Sequence, residues 1–420
     1  MNNIINRKQI ADGIHFSFIS DSRYKVNRIS VNFFSQLSPD AGVNALIPRL
    51  LSSSNRSYPE RKALNEKKAS LYSAKVDFNI GNIGDTQQLE LFAVSIDNKY
   101  ALSDDEDVTG EVVALLSECI FHPVLKDGLF RAEQLEEEKK ALIETIEAEF
   151  NDKRDYARKR MYETFYEGEP AALNCLGTVE AVKSATAKAV TDAYYGLIES
   201  APIEIFAIGC NDFKEISKRL KKVFGALKRS DIKQVQSLPG VIKDIPTEKI
   251  ECFPVEQNKM VLGYKTKSSN YCACLVMAMI LGGTPSSKLF TVVREKMSLC
   301  YYCWAAYGRD KCSMVIDCGV DGENTQKAKE AISAQLTAIA QGEFSEEDIM
   351  NAKMSIANTY KSYNDSPASI AGWYLAGIYR NDIKTPENAL CDFEKVTKEE
   401  IMKQAELMTA DTVYIIERHV

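Results

Sequence analysis

The sequence predicts an α+β protein made of two similar halves in tandem, each a sheet covered by helices. Three observations lead there. The chain has 420 residues, too many for one ordinary core, so two domains of about 200 residues are the natural division. Each half opens with strand-like alternation and continues into runs of helical spacing. Finally, stretches of the first half recur in the second, in the same order and at nearly the same distance.

The strands come first in each half. RISVNFF (28–34) and LELFAVSI (89–96) alternate in the first, KMVLGY (259–264) and SMVIDCGV (313–320) in the second. Each opening strand leads into a short apolar helix and then a second helix. In the second half that apolar run is CACLVMAMIL (272–281), about half the roughly 20 residues a membrane helix needs. It reads as a buried core helix. Farther along the first half, Leu135, Leu142, Ile146 and Phe150 form one apolar stripe, with Glu136 and Lys140 outside it as an i,i+4 pair. The charge runs DDED (104–107) and EEEKK (136–140) read as solvated faces.

The repeat is the most informative feature. Gly128, Phe130, Glu133 and Leu135 match Gly342, Phe344, Glu347 and Ile349 at a constant offset of 214. FNDKRDYARKRMYETFY (150–166) aligns with YNDSPASIAGWYLAGIY (363–379), pairing Asn151, Asp152 and Tyr166 with Asn364, Asp365 and Tyr379 at an offset of 213. ATAKAV from Ala185 resembles VTKEEI from Val396. A period this long indicates a duplicated domain and not a solenoid. Residues 227–249 are polar and aperiodic with two prolines, which makes them the linker. The expected division is therefore 1–227, a linker at 228–249, and 250–420.

Composition narrows the function classes. Apolar residues are 45% and charged residues 26% of the chain, the balance of a globular protein and not a disordered one. A net charge of −7 argues against sequence-independent nucleic-acid binding, which needs a basic face. Arg7 and Lys8 have no apolar stretch behind them, so neither a signal peptide nor membrane association is expected. Eleven cysteines in such a chain point to reduced thiols in a cytoplasm. Cys300 and Cys303 fall in a strand-like stretch, where residues three apart face opposite sides, so inert thiols and no metal are expected there. The glycines of LGGTPSSKLF do not form a phosphate-binding loop.

The stretch LGGTPSSKLFTVVREKMSLCYYCWA (281–305) resembles the C-terminal half of the insulinase/pitrilysin family of inverted-motif zinc peptidases. That half carries a Gly-Gly turn, a Ser-Arg-Leu-like helix start, and Arg-Glu-Lys followed by Leu-x-Tyr. The likeness covers nearly the whole chain and is to the bacterial processing-peptidase-like branch. It implies half-domains like those of the mitochondrial processing peptidase, paired as a clamshell around a peptide chamber.

Active members carry H-x-x-E-H in the first half, two histidines for zinc and a glutamate to activate water. Here the matching helix is GVNALIPRLLSS (42–53). Ala45 and Arg49 stand where the histidines belong, and Pro48 where the glutamate belongs. None can do that work: alanine offers no ligand atom, proline no acid or base, and a guanidinium repels a cation. A further glutamate ligand would fall near Glu144 or Thr145. The three histidines, His15, His122 and His419, are too far apart in sequence to form the motif.

What remains of the family pattern is Arg294 and Tyr301. In two-subunit members a zinc-less partner supplies such a pair to hold substrate. The resemblance thus implies a non-catalytic subunit without a cofactor of its own. It would bind peptide through Arg294 and Tyr301, with Gly282 and Gly283 in a loop facing the chamber. Its partner would be a zinc-bearing paralogue in a heterodimer, or a second copy of itself. The rival expectation is a scaffold or peptide-binding protein of the same fold with no part in proteolysis.

Overall fold

The computed structural model describes residues 5–418, so His419 and the extreme termini lie outside the described residues. The chain forms two compact units. One comprises Met1–Glu147, Leu173–Gln236 and Tyr363–Thr385; the other comprises Ala148–Ala172, Ser237–Ser362 and Pro386–Val420.

The first unit is built on a six-stranded sheet. Its order is β1 (Asn6–Ala11), β2 (Ile14–Ser20), β8 (Ile203–Gly209), β3 (Val26–Gln36), β5 (Thr86–Ile96), β4 (Lys75–Ile83). Among the described residues of this sheet, only β2 and β8 pair in parallel. Alternation decides the faces: Ile203, Ile205 and Ala207 enter the main core, while Phe206 and Ile208 enter a second one. The main core is covered by α1 (Ala41–Ser53), α2 (Arg61–Ser70), α3 (Val108–Phe121), α4 (Ala132–Ala148), α6 (Val179–Ser184), α7 (Ala187–Ser200) and α8 (Lys214–Phe224). A small hairpin, β6 (Leu125–Lys126) and β7 (Leu129–Phe130), precedes α4.

The second unit has five strands in the order β11 (Cys300–Gly308), β12 (Ser313–Val320), β10 (Asn258–Lys265), β13 (Thr409–Arg418), β9 (Thr247–Phe253). Its helices are α5 (Lys153–Phe165), α9 (Tyr271–Ala278), α10 (Thr325–Ala340), α11 (Glu346–Ser362), α13 (Pro386–Glu394) and α14 (Lys398–Glu406). Two wide π-type stretches, Met279–Gly283 and Leu289–Lys296, join α9 to β11.

The duplication is legible in the topology. Read from one edge, β4-β5-β3-β8-β2 corresponds to β11-β12-β10-β13-β9, each with one parallel pair at the same place. Thr186 and Thr397, matched in the sequence repeat, cap α7 and α14 by accepting from the backbone N–H groups of Ala189 and Glu400.

One repeated segment changes sides. α5 follows α4 in the chain but belongs to the second unit, and α12 (Pro367–Tyr379) follows α11 but belongs to the first. α12 lays Ile370, Ala371, Tyr374 and Leu375 on Phe206 and Ile208. In the other unit α5 lays Ala157, Met161 and Phe165 on Val261, Val315, Tyr414 and Ile416. Each such apolar side chain contributes about 1.5–3 kcal/mol when fully buried. The repeat-matched tyrosines end the two helices alike. Tyr166 Oη lies 2.6 Å from Ser313 Oγ at the start of β12, and Tyr379 Oη lies 2.7 Å from Thr86 Oγ1 at the start of β5.

α5 sits close on its sheet because Gly263 has no side chain; a Cβ there would come within 2.6 Å of the Phe165 ring. The buried Lys265 Nζ donates to the Phe165 carbonyl at 2.5 Å and to Val241 O at 2.6 Å, holding the helix end.

Some sequence expectations shift. The break at Gln236 and Ser237 falls within 228–249, but residues 148–172 and 363–385 group with the opposite unit, which no contiguous division expresses. Strand β9 begins at Thr247, inside the expected linker; as an edge strand with mostly exposed side chains it carries no apolar signature. Phe150 lies beyond the end of α4 and packs edge-on against Tyr156 and Phe253. Glu136 pairs with Lys139 at 2.9 Å, not with Lys140. In EEEKK, Glu138 and Lys139 are buried, contrary to the reading of that run as a solvated face.

Candidate functional site

In the first unit the vacated metal position is carried by α1 and α4. Helix α1 runs through Pro48, which lacks the N–H that would bond the carbonyl four residues back. Ala45 is fully buried, and Pro48 lines a small apolar gap with Phe33, Leu51, Leu89 and Leu91. Arg49 instead enters a polar cleft of about 630 Å³ lined also by Arg61, Lys68, Asp77, Glu137 and Glu138. Its Nη2 donates to Thr145 Oγ1 at 3.2 Å, and its Nη1 is 3.8 Å from Glu138 Oε2. The structure thus brings together Arg49 and Thr145, the positions matched to two of the family's ligands. Glu144, the other candidate for the downstream ligand, is exposed.

Glu138 is the residue that sequence reasoning missed. Arg61 Nη2 donates to it at 2.6 Å, so one buried carboxylate serves two guanidiniums. Burial raises its pKa, with Arg61 and then Arg49 opposing the rise. Burial likewise lowers the pKa of Arg49, against the attraction of Glu138. Its spacing was the available signal. Glu138 lies three residues after Leu135 and four before Leu142, on the buried stripe of α4. The family's catalytic zinc does not fit the motif positions: Ala45 and Pro48 offer no ligand atom and lie outside the cleft, and Arg49 brings into it a guanidinium already paired to a carboxylate.

In the second unit, the resemblance-bearing stretch forms the two wide turns and β11. Gly282 is buried where a Cβ would come within 2.6 Å of Ala305 N, and a Cβ on Gly283 would come within 2.4 Å of Met279 Sδ. Both glycines therefore allow the turn to pack against its neighbours. Arg294 lies near the end of the second turn, with its guanidinium 4.5 Å from the Phe290 ring centroid and Nε 3.6 Å from Glu295 Oε1.

Tyr301 owes its position to a β-bulge. Cys300 pairs with Val320 and Tyr302 with Gly319, so Tyr301 is the extra residue between them. Its ring is 52% exposed, and its hydroxyl donates to Asp321 Oδ1 at 3.2 Å. The same bulge corrects the reading of the cysteines. Cys300 and Cys303 lie on one face of β11 and meet Cys318 of β12, all three buried, with their sulfurs within 4.8 Å of one another.

The two sheets of matching strand order and the motif positions without ligand atoms describe a duplicated α+β pair of the kind the sequence resemblance implies, without that family's zinc-ligand set. Comparison with known proteins agrees. Residues 184–356 match the family model described as the peptidase M16 inactive domain. The chain is 27% identical over 410 residues, 96% of each protein, to one from Bacillus subtilis (strain 168) described as "Probable inactive metalloprotease YmfF". A crystal structure of a conserved protein from Enterococcus faecalis V583 superposes with a TM-score of 0.91 at 26% identity, over 99% of each chain. A peptidase M16 inactive domain from Pseudomonas fluorescens shares the fold, with a TM-score of 0.81 at 17% identity over 99% of this chain and 98% of that one. These likenesses support reading the chain as a zinc-less, insulinase-like protein. Among the described residues no helix is long and apolar enough to cross a membrane.

Proposed function

We propose that the chain is a non-catalytic, cytoplasmic subunit that binds peptide for a zinc-bearing H-x-x-E-H paralogue, with Arg294 and Tyr301 as its substrate contacts. The observation that carries this reading is the bulge at Tyr301. It turns a large aromatic side chain outward from a strand, seven residues after a partly exposed arginine. Bulges of this kind re-aim a side chain near functional sites. An arginine offers five donors to peptide carbonyls and a tyrosine hydroxyl one more. The vacated cleft around Arg49 supports a role in which the metal comes from elsewhere.

The second reading is a scaffold or peptide-binding protein without a proteolytic role, as a homodimer or in a larger assembly. It draws on the fact that Tyr301 already donates to Asp321 and Arg294 already lies over Phe290. Both are thus satisfied without substrate.

The test is to mix the purified chain with an H-x-x-E-H relative from the same organism and follow peptide hydrolysis. The first reading expects a several-fold gain in the relative's activity, lost in Arg294→Ala while the complex still forms by gel filtration. No complex and no gain would leave the scaffold reading standing.

A further inference from the structure

Cys300, Cys303 and Cys318 are the group of three potential ligands found among the described residues. Two come from β11 and one from β12, where Cys303 and Cys318 are directly opposite in register. All three are buried. Their sulfurs already lie within 4.8 Å of one another. An ion held about 2.3 Å from each of three sulfurs requires them roughly 4 Å apart, so the strands need close by less than about 1 Å. The bulge that exposes Tyr301 also creates this convergence, because a regular strand would turn Cys300 and Cys303 to opposite faces.

A set made only of sulfur selects soft ions. Structural zinc closes its sites with four ligands, and no fourth His, Cys, Asp or Glu joins this group among the described residues. A monovalent ion content with three sulfurs fits better.

The geometry points to Cys300, Cys303 and Cys318 as a three-thiolate site for one soft closed-shell metal ion, monovalent copper. Binding forms three copper–sulfur bonds and releases to solvent whatever thiol protons remain. No electron is transferred, so no oxidant or reductant is involved. The site is independent of the peptide-binding reading.

The test titrates the reduced full-length chain with Cu(I), without oxygen and against a chromogenic Cu(I) chelator. One tight equivalent is expected in the wild type and in Cys252→Ser, a variant at an exposed cysteine. That equivalent should be lost in Cys300→Ser and in Cys318→Ala, with circular dichroism confirming that each is folded. Should Cys318→Ala fail to fold, alkylation of the wild type read by mass spectrometry replaces it; Cu(I) should protect these three thiols together. Tight binding that survives Cys300→Ser, or a wild type with no tight equivalent, would overturn the site. A Zn²⁺ titration is the second arm: one tight Zn²⁺ equivalent dependent on the same cysteines would overturn the choice of a monovalent ion.

Discussion

Arg49 and Glu138 show how a lost metal position is rebuilt from single residues. Where the family's second histidine stands, Arg49 introduces a positive charge that α4 answers with Glu138. Glu138→Ala would strand two guanidiniums, one of them largely buried, and is expected to cost about 2–3 kcal/mol at neutral pH. The pH dependence follows from the raised Glu138 pKa. The folded chain holds this proton more tightly than the unfolded chain, so stability falls as pH rises from the ordinary glutamate value through the raised one. Glu138→Gln removes that titration. Denaturant unfolding from about pH 4 to pH 7 should show the wild-type advantage over Glu138→Gln shrinking as pH rises; an advantage that grows would contradict the assignment. At this scale the sequence exposed the missing chemistry and hid its replacement. Ala45, Pro48 and Arg49 are legible because residue type alone disqualifies them as ligands. Glu138 was obscured by its charge, which suggests solvent unless its place on the stripe is weighed first.

Strands and helices were mostly legible, because period 2 and period 3.6 leave strong marks wherever one face is buried. The four expected strands all lie in sheets, and the apolar run 272–281 became α9 and the wide turn after it. The bulge in β11 left no mark, since its extra residue is a tyrosine and not the glycine that often signals one. The partner face of α5 was equally hidden: periodicity tells that a helix has a buried side, not which sheet receives it. Gly263 is the position that tests this packing. Gly263→Ala would drive a methyl group into the Phe165 ring and is expected to cost about 1–3 kcal/mol, read from the shift of the denaturation midpoint. An unchanged midpoint would mean that α5 does not rest on β10.

For the whole molecule, the repeat foretold two homologous sheet-plus-helix bodies, and the matching strand orders bear that out. It did not foretell that the copies trade one helix, because an exchange leaves the sequence offset unchanged. The trade makes a direct prediction about fragments. A chain ending at Gln236 lacks α12, and one beginning at Ser237 lacks α5. Each alone is expected to be aggregated or molten, with dye-accessible apolar surface. Produced together, they should yield a soluble complex with the circular dichroism of the intact chain. A well-folded, monomeric 1–236 fragment would refute the exchange.

The same exchange sets a schedule for folding on the ribosome. The face of the first sheet carrying Phe206 and Ile208 waits for Ile370 and Tyr374, which are made only after the long intervening stretch 209–369. At ordinary synthesis rates that delay is on the order of 10–30 s. For that interval the nascent chain carries an uncovered apolar sheet, a substrate for holding chaperones. Stalling translation before α12 emerges should therefore leave a nascent chain far more sensitive to protease than one stalled just after it.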